Sequence, residues 1–226
     1  DVTCFGYANG NISASVTGGT PTNSNTYFYQ WSNNTSGKSI SGLAANTYYL
    51  TVTDAAGCQS TTGATIFEPV QLQVTEMHTN VSCNGSANGS INLFVSGGTG
   101  SYAYAWSNGA TTSSVSNVAA GNYSVTATDA NGCTIIRSVS VTEPAVLAVS
   151  YSQTNVSCNG GSNGSVALSV TGGTTPYTYA WSNGAQTTAM SGLIAGTYSV
   201  TVTDNNGCKT NASVVITEPT ALAATT

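Results

Sequence analysis

Three tryptophans spaced 75 residues apart constrain this chain more than any other feature. Trp31, Trp106 and Trp181 recur at that interval, and so do a cysteine and a Glu-Pro pair near the end of each stretch. Repetition in register indicates copies of one structural unit, and a unit of this length is the size of a small domain rather than of a solenoid repeat. We therefore predict three repeats at residues 1–69, 70–144 and 145–219, followed by an additional segment at 220–226.

Apolar residues alternate with small or polar residues inside each repeat. The third repeat shows this at Val166, Leu168 and Val170 and again at Tyr198, Val200 and Val202. Alternation over runs bounded by Gly and Asn predicts strands with one buried face, and several such strands at short spacing favour a sandwich. The residues that lead into Tyr198 are typical of a tyrosine corner. The predicted fold is all-β: a tandem array of three Ig-like or PKD-like β-sandwich repeats, each with one internal disulfide.

The six cysteines fall two to a repeat. Pairing within each repeat is the simplest arrangement, and it joins Cys4 to Cys58, Cys83 to Cys133 and Cys158 to Cys208. A bridge that closes a loop of about 50 residues would stabilise a small domain by roughly 3–4 kcal/mol. Two thiolates per repeat do not complete the tetrahedral shell of a zinc site. Because disulfides form in oxidising compartments, we expect a secreted protein.

The composition excludes several classes of function. Charged residues are 5% of the chain, against about 25% in an ordinary domain. The basic residues Lys38, Arg137 and Lys209 are too few to neutralise a nucleic acid backbone. No apolar run approaches the roughly 20 residues of a membrane span. His78 is the single histidine, and no catalytic motif is present, so we expect no enzyme, no nucleic acid partner and no membrane span.

One aspartate and one glutamate recur in every repeat. They are Asp54, Asp129 and Asp204, and Glu68, Glu143 and Glu218. In the interpretation that we favour, each Asp begins a hairpin turn and bonds its own backbone, and each Glu-Pro ends the last strand. In the alternative, both acids bind calcium, which needs six to eight oxygen ligands. We therefore predict no cofactor and no metal site, with calcium as the alternative.

The recurring phrases resemble the SprB-type repeat. They read V-S-C-N-G-x-x-N-G-S, T-G-G-T-x-P-Y-x-Y-x-W-S-N-G, G-x-Y-x-V-T-V-T-D-x-N-G-C and T-E-P, and the third repeat matches them best. SprB-type repeats recur in very large surface adhesins of gliding Gram-negative bacteria. The resemblance implies type IX secretion, a cell-surface location and a place in an adhesin stalk used in gliding motility. The first repeat departs from it, with C-F-G-Y at the first motif and four extra residues between Cys4 and Trp31.

The first repeat also carries exposed aromatic residues where the other two have small or polar ones. The candidate patch comprises Phe5, Tyr7, Phe28, Tyr49 and Phe67. Phe28 and Tyr49 fall on the outward parity of their strands, which is typical of an interface or a ligand platform.

The two ends of the sequence are out of phase with the repeats. Extended segments before Cys83 and Cys158 should each supply a first strand, whereas only three residues precede Cys4. In the segment 220–226, Leu222 matches Leu72 and Leu147 of those extended segments. Our hypothesis is that 220–226 is a donor strand that completes the first repeat of another copy, and such head-to-tail contacts give filaments. The alternative is an excerpt from a longer array.

We therefore expect a non-catalytic extracellular structural protein that forms an adhesive stalk or a head-to-tail filament on a bacterial surface. Its partners would be copies of itself or neighbouring repeats of a longer chain. The alternative is a carbohydrate-binding module whose first-repeat aromatics stack on surface glycans. A carbohydrate-binding module needs those side chains exposed to solvent, whereas a filament subunit buries them against a neighbouring subunit.

Overall fold

The computed structural model describes residues 1–22 and 27–225, so Thr226 of the predicted donor segment lies outside the described residues. Within that part of the chain every regular element is a β-strand. No helix found there is long and apolar enough to cross a bilayer. The predicted all-β, Ig-like fold is confirmed, because strands of alternating burial are paired into small sheets in each repeat.

The first repeat contributes five strands. They are β1 (Gly10–Ser13), β2 (Phe28–Trp31), β3 (Ser39–Leu43), β4 (Asn46–Thr53) and β5 (Gln59–Ile66). In the described residues β1 pairs with β3 to form a two-stranded sheet, and the facing sheet has the order β2-β4-β5. Trp31, Leu50 and Ile66 are buried between the sheets.

The second repeat contributes six strands. They are β6 (Gln73–Thr79), β7 (Gly89–Ser96), β8 (Ala103–Trp106), β9 (Ser114–Val118), β10 (Gly121–Thr128) and β11 (Thr134–Val141). The sheets have the orders β6-β7-β9 and β11-β10-β8. β6 has no counterpart among the described residues of the first repeat, and it lies in the segment predicted to supply a first strand.

The third repeat has the same six strands. They are β12 (Ala148–Thr154), β13 (Gly164–Thr171), β14 (Thr178–Trp181), β15 (Ala189–Leu193), β16 (Gly196–Thr203) and β17 (Lys209–Ile216). The sheets have the orders β12-β13-β15 and β14-β16-β17. β12 pairs with β13 along its whole length, from Ala148 opposite Thr171 to Thr154 opposite Ser165.

The core of the third repeat follows from the alternation along its strands. Val200 and Val202 of β16 face inward with Val214 and Ile216 of β17, and all four are almost completely buried. Outward neighbours such as Val215 stay exposed. Burial of one face is the main source of stability of such a sandwich.

Two polar side chains fix the ends of the strands in the core. The indole N–H of Trp181 donates to the carbonyl oxygen of Thr187 at 2.9 Å. The hydroxyl of Tyr198 donates to the carbonyl oxygen of Ile194 at 3.2 Å, so the predicted tyrosine corner is confirmed. The first of these bonds satisfies the indole donor of the buried Trp181.

The chain divides into two compact units that do not follow the sequence period. One comprises residues 1–77, 92–114 and 123–138, and the other comprises 78–91, 115–122 and 139–226. The repeat boundaries at 69/70, 144/145 and 219/220 rest on the sequence period, and they stay predictions.

Replacing Val202 by Ala should lower the free energy of unfolding of the third repeat by about 2 kcal/mol, because two buried methyl groups are lost and a cavity remains. Val215→Ala removes the same atoms from a half-exposed position of β17, and it should cost less than half as much. Urea denaturation followed by circular dichroism measures both. Equal losses in the two variants would contradict the assignment of the core face.

Candidate functional site

The disulfides of the described residues join one repeat to the next. Cys4 is bonded to Cys133 and Cys83 to Cys208, with a Cα–Cα distance of 5.7 Å in each pair. Cys58 and Cys158 are free and exposed. The predicted pairing inside each repeat is therefore wrong for all three pairs: Cys4–Cys58, Cys83–Cys133 and Cys158–Cys208.

The length of the last strand explains why the two cysteines of one repeat cannot meet. Cys58 directly precedes β5, whereas Cys4 lies beyond the other end of that strand, where the N–H of Val2 donates to the carbonyl oxygen of Phe67 at 3.0 Å. Eight extended residues span roughly 26 Å. A disulfide needs Cα atoms within about 7 Å of each other. A disulfide of these cysteines can therefore form only with a cysteine outside the same repeat.

The recurring aspartate holds the turn that carries the second cysteine. In the second repeat, Oδ1 of Asp129 accepts the backbone N–H groups of Asn131 and Cys133, both at 2.9 Å. Its Oδ2 accepts the N–H of Thr99 at 2.8 Å. Asp54 and Asp204 make the corresponding bonds in their own repeats. The interpretation of these residues as turn-forming aspartates is confirmed.

These bonds set the ionisation of the aspartates. Burial alone would raise the pKa of Asp129, but the N–H groups of Cys133 and Thr99 favour the carboxylate and hold the pKa below its usual value. The pKa of Asp204 is lowered in the same way, with burial opposed by the N–H groups of Thr174 and Cys208.

The recurring glutamate holds the turn that follows the first cysteine. Glu143 Oε2 accepts the backbone N–H of Gly85 at 2.6 Å, and Glu218 Oε2 accepts that of Gly160 at 2.7 Å. Glu68 does the same for Gly6. Sequence reasoning missed this role, because the bond joins residues about 60 positions apart.

The acids therefore face backbone donors in every repeat. No group of three His, Cys, Asp or Glu side chains that could hold a metal ion is found within residues 1–22 and 27–225. The absence of a cofactor stays a prediction.

Polar contacts surround each cross-repeat disulfide in the same arrangement. Asn131 Nδ2 donates to the carbonyl oxygen of Thr3, and Asn206 Nδ2 donates to that of Ser82, both at 3.0 Å. The adjacent disulfide sulfur lies 3.3 Å from the same carbonyl oxygen in both cases. Ala56 occupies the position of these asparagines in the first repeat and cannot donate such a bond.

A segment before the first strand fills a groove in the second repeat. The N–H of Gly98 donates to the carbonyl oxygen of Val70 at 2.7 Å. Leu72 is only 8% exposed, and its Cδ1 would lie 3.1 Å from a Cβ placed on Gly98. A Cβ on Gly97 would overlap the carbonyl oxygen of Gln71. The Gly-Gly pair thus lets the incoming backbone approach closely.

The third repeat is filled in the same way. The N–H of Gly173 donates to the carbonyl oxygen of Ala145 at 2.8 Å. The Cδ1 atom of Leu147 would lie 3.0 Å from a Cβ placed on Gly173. β12 then continues from this point along β13.

The corresponding groove of the first repeat is open. It is a cavity of about 550 Å³ whose lining includes Val16, Gly18, Gly19, Val52 and Cys58. Among the residues that the structure describes, a Cβ on Gly18 would meet no atom within 4 Å. β1 ends at residue 13, whereas the matching strands of the other repeats continue for four more residues. In the third repeat those residues pair with β12 and not with β15.

The candidate patch residues are all exposed, but the strand register separates two of them. Phe28 lies opposite Thr53 on β4, four residues from Tyr49. Four strand residues correspond to roughly 13 Å. The ring of Tyr49 covers Gly63 on the neighbouring strand, where a Cβ would lie 3.1 Å from its Cε1. Tyr49 therefore has a packing role within the sheet.

The other candidate residues lie elsewhere. Phe5 and Tyr7 occupy the turn after Cys4, and Phe67 follows the end of β5 near that turn. Leu222 is fully exposed in a segment that forms no strand within residues 217–225. A ligand-binding or interface role for these side chains stays a prediction.

Comparison with protein families finds the model described as "SprB repeat" at residues 1–36, 75–111 and 150–186. Each match begins near the start of a repeat and includes its first cysteine and its tryptophan. Comparison with curated proteins finds no match.

Several solved structures resemble the chain in fold. The N-terminal eight Ig domains of Down syndrome cell adhesion molecule are 13% identical, with a TM-score of 0.44 over 85% of this chain and 33% of that one. Extracellular domains 3–5 of Drosophila OTK are 14% identical, with a TM-score of 0.32 over 86% of both chains. The amphioxus IgVJ-C2 molecule is 18% identical, with a TM-score of 0.29 over 60% of this chain and 97% of that one. This chain thus spans about a third of the first of these structures.

Peptide mapping without reduction should recover the Cys4 peptide linked to the Cys133 peptide and the Cys83 peptide linked to the Cys208 peptide. Alkylation of the monomer before digestion should label Cys58 and Cys158, because these thiols are free and exposed. A Cys4–Cys58 linked peptide would contradict the structure.

Acid should weaken the repeats through the aspartate turns. A carboxylate whose pKa is lowered by folding stabilises the native state above its unfolded pKa, near 3.8, and that contribution is lost as the pH falls through the lower native value. As far as these aspartates contribute, the melting temperature should stay constant from pH 7 to pH 5. It should decrease once the pH is lowered below about 4.

Asp204→Asn is the matched variant for this test. Its melting temperature should be lower at pH 7, because an amide nitrogen would face one of the N–H donors, and its decline in acid should be smaller. A variant that declines in acid as steeply as the wild type would show that Asp204 does not contribute to the pH dependence.

Proposed function

We propose that this chain, which the SprB repeat model matches at three positions, is a non-catalytic structural protein of the bacterial exterior that forms an adhesive stalk or a head-to-tail filament. The family match supports the extracellular, adhesion-type role. The cross-repeat disulfides support a mechanical one, because each covalent bond ties two successive repeats together. Type IX secretion and gliding motility belong to the same proposal through the SprB resemblance.

One observation carries the head-to-tail arrangement. The groove that Leu72 and its flanking residues fill in the second repeat is open in the first, while Leu222 stands fully exposed at the matching sequence position. We take the occupant of the open groove to be residues 220–225 of a second copy. In that complex the N–H of Gly19 would donate to the carbonyl oxygen of Thr220, as Gly98 does to Val70.

The same docking would complete the sheet. Residues 223–225 of the second copy would lie beside residues 15–17, as the start of β12 lies beside the end of β13. Main-chain hydrogen bonds of an added strand supply affinity, and alternate side chains supply specificity. Burial of a leucine side chain adds about 1.5–3 kcal/mol. The arrangement repeats from copy to copy without closing, so it gives a filament.

The composition suits such a role. Charged residues are only 5% of the chain, and the formal net charge is −5. Copies of one chain therefore approach each other with little charge repulsion. The glycan-binding alternative has weaker support, because Tyr49 packs on Gly63 and lies about 13 Å from Phe28 along the sheet.

Leu222→Lys should abolish filaments, because a charged group would have to enter an apolar groove. Ala223→Lys is the matched control: it places the same charge one residue later, where the equivalent Gln73 and Ala148 are exposed, and it should assemble like the wild type. Negative-stain electron microscopy and light scattering of the purified chain read out the length of the assemblies.

Both variants should keep the wild-type circular dichroism spectrum, since the segment 220–225 forms no strand in the single chain. Filaments of normal length from Leu222→Lys would overturn the proposed docking, and so would a wild-type chain that stays monomeric at high concentration.

A further inference from the structure

We propose that Cys158 of one copy forms a disulfide with Cys58 of a second copy, so that the head-to-tail junction is covalent. This inference rests on the proposed filament and specifies the bond that holds it together. Nothing in the sequence period suggests the pairing, because the simplest arrangement pairs cysteines inside a repeat. The observed bridges provide the rule.

The two free cysteines are complementary halves of the observed bridge. In both disulfides the first cysteine of one repeat is bonded to the second cysteine of the following repeat. Cys158 is the first cysteine of its repeat, at the position of Cys4 and Cys83. Cys58 is a second cysteine, at the position of Cys133 and Cys208. Within the chain, these are the two cysteines that lack such a partner.

The turn that carries Cys158 is already in the geometry of a bonded one. Glu218 Oε2 accepts the N–H of Gly160 at 2.7 Å, and Asn159 Nδ2 donates to the carbonyl oxygen of Pro219 at 3.1 Å. The corresponding bonds beside the disulfide-bonded Cys83 measure 2.6 and 3.1 Å. The first half of the bridge is therefore preorganised.

The turn that carries Cys58 is preorganised in the same way. Its backbone N–H donates to Asp54 Oδ1 at 2.8 Å, and the N–H of Thr20 donates to Asp54 Oδ2 at 2.9 Å. The equivalent bond to the disulfide-bonded Cys133 measures 2.9 Å. Neither thiol needs a rearrangement of its own turn before it can form the bridge.

Docking of residues 220–225 (the tail) into the open groove of a second copy would bring the two thiols together. Cys58 lines the open groove of the first repeat. The turn of Cys158 is bonded to Glu218 and Pro219, the residues directly before the segment that enters this groove. The groove and the thiols are separate features of the molecule, and both point to the same contact between copies.

The new junction would differ from the existing ones in one contact. Ala56 replaces the asparagine that donates to the carbonyl oxygen of Thr3 or Ser82 in the observed junctions. The carbonyl oxygen of Ser157, in the copy that supplies Cys158, would therefore lack that donor. Tail docking does not use this bond, so the loss does not prevent the two sulfurs from meeting.

The bond forms by oxidation of two thiols. Two S–H bonds break and one S–S bond forms, and the two electrons and two protons pass to a disulfide oxidant, which is reduced to two thiols. Oxidised glutathione supplies this chemistry in vitro. Once the tail is docked, the two thiols react within one complex, so that bond formation is favoured by their high effective concentration.

The test is electrophoresis of the purified chain in SDS without reductant, after incubation with oxidised glutathione. The wild type should give a ladder of covalent oligomers that dithiothreitol collapses to the monomer. Cys58→Ser and Cys158→Ser should each give almost only monomer, and an equimolar mixture of the two should give a dimer. Peptide mapping of that dimer should recover a Cys58–Cys158 link.

Several results would overturn the inference. A dimer of Cys158→Ser alone would indicate nonspecific Cys58–Cys58 oxidation, and a dimer of Cys58→Ser alone would indicate the Cys158–Cys158 counterpart. A monomer that loses both free thiols would have closed the bond within one chain.

Electron microscopy separates this inference from the proposed function. If wild-type filaments dissolve in SDS under oxidising conditions, the proposed covalent bond is contradicted. The proposed filament is not. In the expected case, Cys58→Ser still forms filaments, but SDS disperses them. Absence of both filaments and ladder would contradict the two proposals together, whereas a Cys58–Cys158 ladder that Leu222→Lys leaves unchanged would refute tail docking alone.

Discussion

The last strand of each repeat is eight residues long, and the rest of the junction depends on that length. It places the second cysteine at its start and the first cysteine of the same repeat beyond its end, roughly 26 Å away. A bridge inside the repeat is geometrically impossible, whereas the adjoining repeat presents the opposite half of the bond. The covalent connection therefore runs along the array. A chain stapled in this way resists separation of neighbouring repeats.

The two recurring acids serve this junction from both sides. The aspartate accepts the N–H of the second cysteine, and the glutamate accepts the N–H of the glycine two residues after the first. Each carboxylate thus fixes a backbone turn and, through it, the direction of a sulfur atom. Because a carboxylate is a stronger acceptor than a neutral group, two acids per repeat are enough to preorganise a bond between separate repeats. This accounts for the recurrence of both acids in every repeat.

The regular parts of the molecule could be predicted, since they depend on local pattern. Alternation at Val200 and Val202 indicated the buried face of β16, and the residues before Tyr198 indicated the tyrosine corner. The first strands β6 and β12, which lie in the segments before Cys83 and Cys158, followed from comparison of the repeats. The disulfide pairing was predicted wrongly, because symmetry among repeats is equally compatible with pairing inside a repeat and with pairing one repeat further along. A signal was nevertheless present: an uninterrupted strand pattern separates Cys58 from the Glu-Pro that lies beside Cys4.

The sequence by itself determined the number of repeats, their all-β character, their family resemblance and the position of the first strands, because periodicity and alternation are properties of the chain alone. Only the tertiary structure decided which cysteines meet, which donors each carboxylate faces and which groove is open. Those outcomes depend on distances between residues that are up to 129 positions apart in sequence, and such distances are fixed by strand length and packing. Only the tertiary structure shows that the thiols of Cys58 and Cys158 are free and exposed and that the side chain of Leu222 is exposed.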